Sequence, residues 1–427
     1  MTGGLPRSFR KSPIEERRAT LESLVGIAPA AFGSDTELVE LADVMVESAV
    51  GYLALPIGIA AGFVIDGSEY DVPMATEEPS VVAAAGYAAS IVRRGSGFTT
   101  EAGEPITTGQ LFIEDPSPGA AERIDADRDA LRREAAPLLE RMEKRGGGWR
   151  GMDVAWLTQS RTMRVQVHVD VRDAMGANIV NSVVEQLRAP VERITGGKVV
   201  MAILSNAADR RVTTARFAVD AGRLARGGRD GREVAERLVL ANEIAREDSS
   251  RAVTHNKGIM NGVTALALAT GNDTRALEAA VHEYASRDGA YRALTRYRLD
   301  GDTLSGELAI PVPLGVVGGA AGIHPASSAA LALLGNPGAV DLARVAVCVG
   351  LAQNFAALFA LVSEGIQRGH MGLHAHRLAW AAGARGEERE RVVDAMRERG
   401  VYGTEIARDL LARIRAAAPD KDESSSP

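Results

Sequence analysis

The chain predicts an α+β fold: a mostly helical body with a small strand-rich domain inserted at roughly 107–217. Three observations carry this. Apolar residues recur at helical spacing over 231–248, 258–269, 274–286, 325–334, 339–363 and 374–384. Residues 163–171, MRVQVHVDV, alternate polar and apolar at the period of a strand. The insert reads strand, helix, strand, helix, strand, strand, the series of a small α+β domain.

The elements follow in order. Residues 14–32 read as one helix, entered at Ser12-Pro13, and 36–48 as another. Asp66-Gly67, between β-rich runs, marks a hairpin. A helix at 80–94 follows. In the insert, strands at 105–113 and 162–172 flank a charged helix at 119–144. A helix at 177–193 and strands at 198–204 and 211–219 complete it. Strands return over 288–314. The longest apolar run, 346–362, holds Gln353 and Asn354 at its middle, so it reads as a buried helix rather than a membrane span. Residues 420–427 read as a disordered tail.

Composition narrows the function. The 427 residues are 46% hydrophobic and 25% charged with a net charge of −7, which argues against nucleic acid as the main partner. A single cysteine, Cys348, excludes an internal disulfide and any cysteine-held metal cluster, and its apolar surroundings mark an inert thiol. The basic N-terminal segment has no apolar stretch behind it, so a cytoplasmic location is expected.

Four segments carry candidate chemistry. In THNKGIMNG (254–262), Lys257 stands in what reads as a glycine-flanked, amide-rich turn. Asp273, sixteen residues on, reads as a helix start, and the two are expected to form a fixed charged pair able to polarise a carbonyl. In MATEEPSVVAAA (74–85), Pro79 suits a first helical position. Glu77 and Glu78 there read either as helix-capping acids or as a general acid beside an anion-binding Ser80. DVRDAMGANIVN (170–181) reads either as a capping turn or as a helix start that a diphosphate can approach. His370, His374 and His376 lack the spacing and acids of a zinc site; a single histidine at a glycine-bounded hinge, acting as a proton donor, fits better.

With ATGND (269–273), GLAQN (350–354) and EGIQRGHM (364–371), these motifs stand in an order and spacing that resembles the class II, bacterial-type 3-hydroxy-3-methylglutaryl-coenzyme A (HMG-CoA) reductases. The resemblance runs from about residue 9 to 410. It implies a large, mostly helical domain for coenzyme A and HMG (1–106 and 218–370). A small, α/β-sandwich-like, non-Rossmann dinucleotide domain (107–217) and a C-terminal helical flap (371–427) follow from it too. It assigns catalysis to Glu78, Lys257, Asp273 and His370, and HMG contacts to Ser80, Arg251, Asn261 and Asn354. Arg10 would lie near the coenzyme A phosphates. Asp173, Met175, Gly176, Asn178 and Asn206 would meet NAD or NADP, with no metal. Thr274, Ala207 and the LHAHR stretch depart from the family pattern without removing a catalytic group. Segment 114–152 matches poorly, and Glu140 is the acid there that would favour NAD by repelling a 2′-phosphate. The resemblance also implies a homodimer with its active sites at the interface. The alternative, a catalytically idle coenzyme A or dinucleotide-binding homologue, sits badly with four intact catalytic residues. Thiolase and aldehyde-dehydrogenase chemistry would need a reactive cysteine that the chain lacks.

Overall fold

The computed structural model describes residues 5–6, 8–363 and 365–416, with the backbone alone for 366–373. Its architecture is α+β. One sheet has six strands: β1 (Ile57–Ile65), β2 (Ser68–Ala75), β3 (Phe98–Glu101), β8 (Val212–Asp220), β9 (Thr295–Asp300) and β10 (Thr303–Pro311), in the order β2-β1-β3-β8-β10-β9. The other has four: β4 (Ile106–Glu114), β5 (Gly148–Leu157), β6 (Thr162–Asp170) and β7 (Lys198–Leu204), in the order β5-β6-β4-β7. The chain leaves the large sheet after β3 and re-enters it at β8, which pairs antiparallel with β3 from Phe98↔Phe217 to Glu101↔Thr214. The excursion between two neighbouring strands builds the small sheet.

That topology corrects the insert at one end. The strand read at 211–219 joins the large sheet, because its apolar positions meet β3 and β10 there. Alternation identifies a strand but names no partner. β5 and β3 were not anticipated. β5 carries Gly148 and Gly151 with a register shift between Trp149 and Gly151, which hides its alternation.

The helices break where local chemistry demands. α1 (Ile14–Val25) stops at Gly26, which takes φ 69°, and 29–32 form only a short 3-10 turn; α2 spans Thr36–Met45. α4 (Ala120–Ala126) and α5 (Arg128–Glu143) divide the charged segment, and α6 (Ala177–Gln186) and α7 (Arg188–Thr195) divide the next. Pro190 accounts for the latter break, since its ring would strike the carbonyl four residues back in a continuous helix. α3 (Val81–Arg93), α8 (Gly231–Glu247), α9 (Ser249–Ala269), α10 (Thr274–Ser286), α11 (Pro325–Leu333) and α12 (Ala339–Val362) pack with the large sheet. α13 (Ile366–Ala381), α14 (Gly386–Arg399) and α15 (Thr404–Ala416) enclose a separate small core. The tail read as disordered lies outside the described residues.

α12 is apolar on every side, and it is buried as the central helix of the largest core. It is the one helix among the described residues long and apolar enough to cross a membrane, and 78% of its most apolar window is covered by the protein itself. α9 lies against it at close range. A Cβ on Gly350 would come within 2.7 Å of Val263, and one on Gly262 within 3.0 Å of Val349. Glycine at these two crossings lets α9 and α12 approach, which sets Lys257 of α9 near Asn354 of α12. Cys348 is fully buried on α12, and burial pushes its thiol up, so it is inert.

Candidate active site

The segment read as a turn around Lys257 is the middle of α9. Asp248 caps this helix by accepting from Arg251 N at 2.6 Å, and the helix runs unbroken from Ser249 to Ala269. Tertiary contacts override the poor helix formers. Asn256 is buried, its Nδ2 donating to Arg292 O (2.9 Å) and its Oδ1 accepting from Leu294 N (3.1 Å). Gly258 carries a different reason. A Cβ there would touch nothing within 4 Å, because the residue faces an open cavity.

That cavity has a volume of about 520 Å³ and collects residues from three helices. Ser80, at the start of α3, Arg251, Lys257 and Asn261 on α9, and Asn354 on α12 all line it, together with Glu78. Pro79 is not in the first helical position. The helix begins at Val81, and Ser80 occupies the N-cap with φ 77°. A serine held there stores about 1–3 kcal/mol of backbone strain, a feature that concentrates at functional sites.

Lys257 Nζ donates to Glu78 Oε2 at 2.8 Å, across 179 residues of sequence. The lysine side chain is 60% exposed and the glutamate 39%, so within one chain the pair is open to solvent rather than buried. The expected Lys257–Asp273 pair does not form within the chain. Asp273 caps α10, accepting from Arg275 N at 3.0 Å and Ala276 N at 3.1 Å, with Arg275 Nε at 3.4 Å. Lys257 stands twelve residues before the end of α9, about 18 Å along its axis, and α10 begins beyond that end. No lysine side chain spans that distance.

The floor of the cavity is a buried polar network that no local motif announces. Tyr297 OH donates to Asn354 Oδ1 (3.0 Å), and Thr295 Oγ1 donates to Asn242 Oδ1 (2.8 Å). Having spent its one proton, Thr295 accepts from His255 Nε2 at 2.6 Å, which fixes His255 as the Nε2–H tautomer. Asn354 Oδ1 is engaged, so its Nδ2 donors are left for the cavity. His255 Nδ1 and Gln353 Oε1, on two cavity-lining residues, have no protein partner.

His255 makes this floor sensitive to acid. Burial, with the nearby Arg251 charge, lowers its pKa to about 3 from 6.5. Below pH 6.5 the unfolded chain takes up this proton and the folded chain does not, so stability is lost as pH falls from about 6.5 toward 3. Thermal melting should drop steadily over that window, and His255→Gln, which keeps a donor toward Thr295, should flatten the slope. An equal slope in the variant would assign the acid loss to other groups.

The dinucleotide candidates lie at the junction of the two sheets and line neither cavity that touches Lys257. Asp173 Oδ1 accepts from Ala339 N (3.0 Å) at the start of α12, and its carbonyl accepts from Val316 N (2.8 Å). Met175 O accepts from Thr107 Oγ1 (2.9 Å) and from the buried Arg211 (3.2 Å). Gly176 caps α6 at φ 95° with no side-chain bond to the helix start, and a Cβ there would lie 2.5 Å from Val171. No side chain caps the first backbone N–H groups of α6, an arrangement that suits a diphosphate. Asn178 and Asn206 are exposed, on the first turn of α6 and after β7. Glu140 is an exposed residue of α5 paired with Lys144 at 2.6 Å, and Arg10 is exposed on the short turn Phe9–Lys11. His370 falls on α13, and its side chain lies outside the described residues. Among the described residues no group of three His, Cys, Asp or Glu is placed to hold a metal.

Comparison with known proteins places the chain in a family. A family model described as hydroxymethylglutaryl-coenzyme A reductase covers residues 13–375. The chain is 42% identical to the 3-hydroxy-3-methylglutaryl-coenzyme A reductase of Archaeoglobus fulgidus, over 97% of this chain and 96% of that one. It is 34% identical to the probable reductase of Borreliella burgdorferi, over 98% and 97%. Among solved structures, the reductase from Streptococcus pneumoniae superposes with a TM-score of 0.76 at 39% identity, covering 96% of this chain and 99% of that one. A class II structure from the same organism, bound to NADPH in open conformations, gives 0.75 at 39% identity over 84% of this chain and 99% of that one. With the family model, two full-length relatives and the superposed fold in agreement, this chain belongs to the hydroxymethylglutaryl-coenzyme A reductase family and is an NAD(P)-dependent oxidoreductase.

Proposed function

We propose that the protein interconverts HMG-CoA with mevalonate and free coenzyme A in a four-electron reaction, with Lys257 and Glu78 at its centre. The observation that carries this is the single cavity in which Glu78, Ser80, Arg251, Lys257, Asn261 and Asn354 converge around the 2.8 Å Lys257–Glu78 contact. Arg251, Lys257 and the two amides supply donors for an anionic, oxygen-rich substrate.

Two nicotinamide cofactors would supply one hydride each, the start of α6 and its glycine holding the diphosphate. Lys257 would stabilise the negative oxygen that develops at the former carbonyl. Glu78 would give its proton to that oxygen as aldehyde becomes alcohol. His370 would protonate the departing coenzyme A thiolate. We take the three cores as domains, with the small one ending before β8: 1–106 with 212–370, 107–211 and 371–427, in a cytoplasmic enzyme.

Asp273 enters this scheme from a second copy. It sits at the far end of α9, beside an apolar groove of about 460 Å³ lined by Leu53, Ile57 and Leu268, all exposed in the single chain. A homodimer that covers this groove would carry the Asp273 of one chain to the Lys257 of the other.

Absorbance at 340 nm with mevalonate, coenzyme A and NAD or NADP, and in the reverse direction, tests the reading. Glu140 leads us to expect better kcat/KM with NAD. In the same assay His370→Gln should slow thioester reduction more than reduction of free mevaldehyde. Equal losses would remove its leaving-group role, and no turnover with either cofactor would remove the reading itself.

A further inference from the structure

Beside the Lys257–Glu78 pair lies a second, smaller space of about 210 Å³, whose lining shares Glu78 and Lys257 with the substrate cavity. Glu278 and His282, one turn apart on α10, line this space as well. Thr264 Oγ1 donates to Glu278 Oε1 at 2.8 Å, and Glu278 Oε2 lies 2.9 Å from His282 Nε2. His282 Nδ1 lies 2.7 Å from Tyr291 OH, and the two rings stack at 5.9 Å. With Tyr291 donating to Nδ1, the ring donates from Nε2 to Glu278, so the chain of bonds has one consistent direction toward the carboxylate.

An isolated Glu–His pair on a helix contributes only about 0.2–0.5 kcal/mol. What distinguishes this one is the space it shares with Glu78. Each aldehyde reduction would leave Glu78 a carboxylate, while bound ligand fills the cavity on its other side. The second space gives that proton another way in. At about 30 Å³ per molecule, it has room for several waters between polar walls.

We propose that His282 and Glu278 form a relay that reloads Glu78. Once protonated, His282 carries hydrogen on both ring nitrogens and Tyr291 turns to accept from Nδ1; the ring gives its Nε2 proton to Glu278 Oε2, the Glu278 carboxyl gives a proton through water to the Glu78 carboxylate, and solvent returns a proton to the ring at Nε2. One proton enters and one is delivered; no electrons move. The groups facing His282 are Glu278 on its own helix, Tyr291 ahead of β9, and Glu77, Glu78 and Lys257 across the space. Histidine suits the task because its ring can accept a proton at one nitrogen and donate at the other. The relay rests on Glu78 being the proton donor, and its two members are positioning residues that touch no reacting atom.

The test is mevaldehyde reduction by the purified full-length enzyme and its His282→Gln variant. The variant should lose about 10²-fold in kcat with its KM for mevaldehyde unchanged. It should also show an enlarged solvent deuterium isotope effect and regain rate with added imidazole. Wild type should not respond to imidazole. If His282→Gln does not fold, Tyr291→Phe, which keeps the stacked ring, should show the same enlarged isotope effect. A wild-type kcat and isotope effect in the variant, or a loss that imidazole does not restore, overturns the relay. Wild type that does not reduce mevaldehyde at all removes the proposed function, and the relay with it.

Discussion

Lys257→Ala is expected to lower kcat about 10³-fold in both the thioester and the aldehyde reductions while coenzyme A still binds. A donor aimed at a developing oxyanion is worth roughly 10²–10³ in rate, and Lys257 adds a full charge to its hydrogen bond. The loss should be catalytic rather than structural. The Lys257–Glu78 pair is well exposed in the single chain, and exposed ion pairs contribute about 0–1 kcal/mol to stability. The melting temperature should therefore hardly move. Binding of coenzyme A, followed by calorimetry, should persist because Lys257 sits beside Glu78 and not at a phosphate site. Turnover within about tenfold of wild type would take the oxyanion away from Lys257.

A mixture of two inactive variants should recover activity. Lys257→Ala and Asp273→Asn homodimers should each be nearly dead, but mixed and re-associated they should regain about one quarter of wild-type activity. The reasoning is symmetry. In a two-fold dimer each site would take Lys257 from one chain and Asp273 from the other. A mixed dimer then has one doubly damaged site and one intact site, and random pairing makes half of the dimers mixed. If both residues served the same site from the same chain, every site would carry one lesion and no activity would return. The separation of about 18 Å along α9 between Lys257 and the end of its helix predicts recovery. An Asp273→Asn homodimer with near-normal rates would instead reduce Asp273 to the cap of α10 that it visibly is.

Much of the site was legible along the chain. Glu78, Ser80, Arg251, Lys257, Asn261 and Asn354 are assigned through the family resemblance, and all line one cavity. Local structure was read less well where composition misled. THNKG looked like a turn because asparagine and glycine are poor helix formers, yet a buried Asn256 and a cavity-facing Gly258 make it helix. Glu278 and His282 left a trace, four residues apart on a predicted helix, but nothing in the chain says that their helix turns back along α9 toward Lys257. The network of His255, Thr295, Asn242 and Tyr297 left none, since its bonds join residues 40 to 57 positions apart.

By itself the sequence determined which side chains carry charge and acid–base chemistry, the α+β class, and the central apolar helix, because each depends on residue type and short-range periodicity. Only the tertiary structure decided which of those side chains meet. It paired Lys257 with Glu78 instead of Asp273, returned the strand at 212–220 to the large sheet, and set Glu278 and His282 in a space that Glu78 and Lys257 also line. The physical reason is that helix direction and strand partnership are fixed by burial between distant segments, such as Gly262 against Val349 and Gly350 against Val263. No local pattern encodes those contacts.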